Sequence, residues 1–156
     1  MAAEHKNAKE TEDQQKVKVN VEKWGRPLID AGWTLVPSTL IERQRKLGLD
    51  PLDFNILLHL MSYWWEPGNK PRPSKKTIAA AVGRDPRTVQ RRIASLERQG
   101  LIKREGRNGA GRGTQTNRYH FDGLIKAATE LAQETLAERK VKKEKTARMK
   151  RLHVVK

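Results

Sequence analysis

Large apolar side chains are nearly absent from the first 22 residues and then recur in short, punctuated blocks. A segment so poor in buriable surface does not offset the entropy of ordering, so residues 1–23 are expected to be a disordered tail. Trp24 to Gly32 is a glycine- and proline-punctuated entry, and the alternation Trp33-Thr34-Leu35-Val36 predicts a short strand stopped by Pro37. Ser38 is placed to cap a helix over Thr39 to Leu47 that ends at Gly48. Asp50-Pro51 opens the most apolar helix of the chain, Pro51 to Trp65. Its stripe is Phe54, Leu57, Leu58, Met61 and Trp65, with Ile56 and Leu60 on another face. Such a helix is either central or pairs with a partner.

Beyond the loop of Glu66-Pro67-Gly68 and Pro71-Arg72-Pro73, Ser74 caps a predicted helix Lys75–Val82, and Gly83 ends it. Asp85-Pro86 starts the next helix, 86–99, whose Val89, Ile93 and Leu96 recur at i, i+4 and i+7 and therefore face inward. After Gly100, Leu101–Arg104 and Gln115–Phe121 read as strands around a glycine-rich hairpin tip. Helical spacing returns from Asp122 through Leu124, Ala128, Leu131 and Thr135, and fades near Leu136. The fold class is mainly α with a small β-hairpin (α+β): a winged helix-turn-helix over 24–122, followed by a C-terminal helix and basic tail over 123–156.

Charge sharpens this reading. The chain has 156 residues and a net charge of +15. Residues 1–32 are neutral, 33–125 carry +9 and 126–156 carry +6. That distribution suits a polyanion partner, although charge alone does not choose the polymer. The sequence has no cysteine, which excludes disulfides, cysteine-ligated zinc and a thiol nucleophile. No leader-like or membrane-spanning apolar run is present, so a cytoplasmic, nucleoid-associated protein without a membrane partner is expected. His5, His59, His120 and His153 lack metal-ligand spacing, and no nucleophile–base or paired-carboxylate signature suggests an enzyme; neither cofactor nor metal is expected. Tyr63, Trp64 and Trp65 are read as closing the core rather than as a base-stacking platform.

Two helices separated by about three residues meet the requirement of a helix-turn-helix. With Val89 and Ile93 inward, Arg87, Thr88, Gln90 and Arg91 fall on the opposite arc of the second helix, where they are candidates to read base edges. Arginine bonds guanine O6 and N7 with two donors, and glutamine pairs with adenine N6 and N7. Ser74, Lys75, Thr77 and Arg84 surround the helix N-termini and are candidate phosphate contacts. In the wing, Arg107, Asn108 and Arg112 sit among four glycines that allow close approach to a groove; the plain alternative is a solvated hairpin tip. No Gly-Lys-Ser/Thr follows, so this is not a nucleotide-binding loop. Residues 139–156 carry nine Lys/Arg against Glu144 alone, which fits phosphate tracking and a solubilising tail equally well.

The string PSKKTIAAAVGRDPRTVQRRIASLERQGLI resembles the winged helix-turn-helix of bacterial regulators, especially in Thr88-Val89, Leu96 and Gly100-Leu101-Ile102. With LVPSTLIERQRKLGLDPLDFNILLHLMSYWW before it and TNRYHF after it, the likeness extends over 33–125. It is similar to the subgroup found at the front of phage and plasmid replication proteins and in short bacterial regulators. One position departs: Arg92 stands where that family often has a small inward residue, so its stem is expected along the core edge with its head free. The resemblance implies a sequence-specific duplex-DNA-binding protein, a transcriptional regulator of a bacterium or mobile element. The alternative is a plasmid or phage replication initiation or maintenance factor. Double-stranded DNA, the replication or transcription machinery and a second copy of the chain are the expected partners. The dimer is motivated by the surplus faces at Ile56, Leu60 and Leu124–Leu131. RNA or single strands are less favoured, because few aromatics lie on the basic surface.

Overall fold

The structure is a computed structural model that describes residues 14–106 and 116–154, with side chains to 150. It divides into two compact units, Met1–Leu35 and Val36–Lys156. The boundaries expected from the sequence lie at 23/24 and 122/123, and the C-terminal helix falls within the second unit.

In the first unit, helix α1 covers residues 14–24 and α2 covers Arg26–Asp30. The tail expected through residue 23 is thus helical from 14 onward. Val17, Val21 and Trp24 recur at i, i+4 and i+7 among good helix formers, a signal hidden by the low apolar content. Gly25 separates the helices at φ 82°, a conformation that favours glycine. Trp33–Val36 forms no strand; alternation alone does not make one without a neighbour to complete its hydrogen bonds.

The second unit starts with α3, Ser38–Glu42, capped at Pro37 rather than by the Ser38 side chain. It is shorter than expected: residues 43–48 continue as turns, and Leu49 N donates to Gln44 O at 3.0 Å. Helices α4 (Pro51–Ser62), α5 (Lys75–Val82) and α6 (Pro86–Arg98) pack against one another. Their N-caps act as anticipated. Asp50, Ser74 and Asp85 each accept a hydrogen bond from the amide three residues on. Gly83 ends α5 in the left-handed region at φ 65°.

Burial corrects the assignment of faces on α4. Ile56 and Leu60, expected on a surplus face, are fully buried, whereas Trp65 is exposed. The helix stops at Ser62, so extending its stripe from Met61 to Trp65 fails. Only Trp64 of the three aromatics packs on the core, its ring 5.2 Å from that of Phe121; Tyr63 and Trp65 are exposed.

Strands β1 (Lys103–Glu105) and β2 (Arg118–His120) pair antiparallel, with Arg104 opposite Tyr119. The Tyr119 amide also donates to Pro71 O at 2.9 Å, tying the loop before α5 to the hairpin. Helix α7 then runs from Asp122 to Val154, well past the expected fading near Leu136. It starts in tight contact with the turn after α6. Leu124 N donates to Leu101 O at 2.8 Å, and a Cβ on Gly123 would lie 1.7 Å from Gly100 O. Leu124 is buried and Ala127, Ala128 and Leu131 pack on the core, so the apolar stripe of α7 is also consumed internally. Arg43 donates to Thr135 Oγ1, and Arg43 and Lys46 pair with Glu138 and Glu134, holding α7 beside α3. Both motives read from the sequence for a dimer are therefore satisfied within one chain.

Candidate nucleic-acid interface

Val89, Ile93 and Leu96 are all 0% exposed, which sets the rotation of α6. On the opposite arc Arg87, Gln90 and Arg91 are exposed and Thr88 is half-buried. Gly83, Arg84 and Asp85 form the turn that joins the C-terminal end of α5 to α6. Lys75 Nζ reaches across and donates to Gln90 Oε1 at 3.1 Å.

The local chemistry of this surface is ordered but not closed. Thr88 Oγ1 donates to Asp85 Oδ2 at 2.6 Å and accepts from Arg91 Nη2 at 3.3 Å. Thr88's side chain, and then its amide, hold the Asp85 carboxyl below the usual range, so this acid is occupied with capping. The Arg87 guanidinium makes no ion pair or hydrogen bond among the described residues, and that of Arg91 donates there only to the threonine hydroxyl. Ser74 Oγ and Thr77 Oγ1 lie 2.8 Å apart, each engaged with the other at the start of α5. Lys75 is half-buried and Arg84 is exposed just beyond the end of α5.

The structure brings together the candidates on α5, the turn and α6. Arg107, Asn108 and Arg112 lie outside the described residues. Arg92, expected with its head free, instead pairs through Nη1 with Asp50, and with Asp53 at 3.5 Å. This places its charge against the start of α4. Asp53 is buried; desolvation, then the nearby Asp50 charge, push its carboxyl up, against the pull of Arg92. Burial also acts on Asp50, but the Asp53 amide and Arg92 outweigh it and leave that carboxyl below its usual range.

Three cations escaped the sequence reading. Lys76 is exposed one residue beyond Lys75, and Lys103 and Arg118 are exposed on the hairpin. The strand signal was available in Arg118-Tyr119-His120, where a buried Tyr119 turns both neighbours outward. Arg104 faces the other way and is occupied by Glu97, its Nε donating at 2.8 Å. Among the described residues no cluster of potential metal ligands occurs, and no helix is long and apolar enough to cross a membrane.

Against known proteins, residues 47–102 match the helix-turn-helix domain family. No curated protein matches the chain. Among solved structures, the N-terminal domain of DnaD protein from Geobacillus kaustophilus HTA426 is similar at 19% identity and a TM-score of 0.52, covering 77% of this chain and 94% of that one. A possible transcriptional regulator from Methanosarcina mazei Go1 aligns at 22% identity and a TM-score of 0.38 over 64% and 79% of the two chains. A MarR family transcription regulator aligns at 18% identity and a TM-score of 0.38 over 99% and 90%. The family match spans α4, the two helices of the motif and the turn after them, and the hairpin follows directly, so the matched segment is carried on a winged-helix fold.

Proposed function

We propose that the second unit binds duplex DNA in a sequence-specific manner, as a transcriptional regulator of a bacterium or mobile element. Helix α6 enters the major groove and the hairpin lies over the adjacent groove or backbone. The observation that carries this reading is the complete burial of Val89, Ile93 and Leu96, which leaves Arg87, Gln90 and Arg91 on the outer arc free of carboxylate partners among the described residues. Arg87 and Arg91 read base edges, and Gln90, held by Lys75, keeps its amide donors for a base acceptor. Thr88 positions Arg91. Lys75 and Arg84 meet phosphates, together with the N-terminal ends of α5 and α6. Ser74 and Thr77 contribute chiefly by ordering that end of α5.

The test is selection from a random duplex library at stated salt, repeated with Arg87→Ala and Arg91→Ala. Each variant loses about 1–3 kcal/mol of discrimination, confined to one base position. A wild-type selection that enriches no motif, or variants that weaken all sequences alike, would overturn base reading by α6. A replication or maintenance factor of a plasmid or phage is the second reading, favoured by the long helix α7, which extends past the Glu138 ion pair with Arg43. Sites confined to a replication origin, with replication proteins recovered alongside, would select that reading; promoter sites select the first. A second copy of the chain remains a candidate partner. Sedimentation with and without the selected duplex decides between one and two protomers per site.

A further inference from the structure

Helix α7 changes character at Glu138. Up to that residue it is bound to the body by apolar packing and by Arg43 and Lys46. From 139 to 150 every residue is exposed. Arg139, Lys142, Lys143 and Lys150 fall at i, i+3, i+4 and i+11 and therefore share one face. Thr146 lies among them, its hydroxyl turned back to donate to Lys142 O at 2.9 Å. No carboxylate occupies that face: Glu138 is engaged by Arg43, and Glu144 lies well around the helix. None of the four cations has an ion pair among the described residues.

Like charges three and four residues apart disfavour a helix, and no carboxylate among the described residues pairs with these four cations. A polyanion would. The four charges span roughly 16 Å along the helix, a length over which duplex DNA presents about nine phosphates. We infer that this face of α7 is a second DNA contact, which binds the phosphate backbone beside the recognition site without reading sequence. This rests on the proposed DNA binding by α6 but makes a separable prediction. Base-reading side chains set the motif, whereas the α7 face sets how steeply affinity falls with salt.

The test uses the full chain with Arg139→Gln, Lys142→Gln, Lys143→Gln and Lys150→Gln combined, because glutamine keeps helix propensity without charge. A second variant keeps the charge: Arg139→Lys, Lys142→Arg, Lys143→Arg and Lys150→Arg. Anisotropy titrations measure binding to the selected duplex and to a scrambled duplex between 50 and 200 mM salt. The glutamine variant is expected to lose about 3–4 from the slope of log affinity against log salt, on both duplexes and with the selected motif unchanged. The wild type then weakens about 100-fold more than that variant across the same salt range. The charge-retaining variant keeps the wild-type slope. An unchanged slope in the glutamine variant overturns the inference, as does loss of its helical circular dichroism together with a lowered slope in the charge-retaining variant. Binding of the wild type, but not the glutamine variant, to phosphatidylserine vesicles with no change in DNA slope would assign the face to a membrane surface instead. If no motif is enriched but the slope still drops, base reading by α6 fails and the α7 contact stands.

Discussion

Replacing Arg92 with methionine isolates the ionic cluster that joins α6 to the start of α4. Methionine matches arginine in helix propensity and keeps an apolar stem, so the charge is the main loss. The wild-type guanidinium pairs with Asp50 and stands 3.5 Å from Asp53, whose side chain is only 6% exposed. At an effective dielectric of about 20, two charges about 4 Å apart attract by about 4 kcal/mol before solvation is counted. The Arg92 and Asp50 side chains are 39% and 40% exposed, so screening reduces the net value. Removal of the cation leaves the Asp53 carboxylate buried beside another acid, and the expected loss at pH 7 is about 1–3 kcal/mol.

The sign of the pH dependence follows from Asp53. Its folded carboxyl already lies above the ordinary 3.8, first through burial and then through Asp50, and loss of Arg92 raises it further. A raised carboxyl costs the fold most at pH above its folded value, and the cost fades as pH falls through that value. The deficit of Arg92→Met is therefore larger at pH 7 than near pH 4.5, and Asp53→Asn in the same background recovers most of it. Urea unfolding followed by circular dichroism measures all four combinations. A deficit below about 0.5 kcal/mol that is equal at both pH values, or no recovery by asparagine, would refute the cluster's role. An altered base preference in properly folded Arg92→Met would place Arg92 in the reading set after all.

Gly123→Ala is expected to destabilise the protein by about 1–3 kcal/mol, because its Cβ collides with the Gly100 carbonyl where α7 meets the turn after α6; thermal unfolding checks it. Ile93→Ala removes a fully buried side chain and should cost about 2–5 kcal/mol in urea unfolding, while folded molecules select the same DNA motif. Glu97 is held below its ordinary 4.5, first by the Arg104 side chain and then by the Arg104 amide. That stabilisation is complete above pH 4.5 and is lost as pH falls through the lowered folded value. Glu97→Gln should therefore cost about 1 kcal/mol near neutrality and progressively less below pH 4.5; a constant difference would remove Glu97 from the acid response.

Local chemistry is legible in the sequence itself. Asp50, Ser74 and Asp85 cap because each bonds an amide only three residues away, and the spacing of Val89, Ile93 and Leu96 is a property of one helix. These determine where the helices of the motif begin and which arc carries Arg87, Gln90 and Arg91. Other features required the folded neighbours. Ile56 and Leu60 were apolar on any reading, but only the presence of facing elements decides whether a second apolar face is core or interface. The partner of Arg92 lies 42 residues away, and Gly123 must be small only because Gly100 meets it there. The exposed half of α7 divides in the same way: its charge is written in the sequence, whereas the point at which it leaves the body depends on Arg43 and Lys46 gripping Glu138 and Glu134. A helical pattern is set by neighbours within one turn, but burial and pairing are set by whichever distant segment occupies the adjoining space.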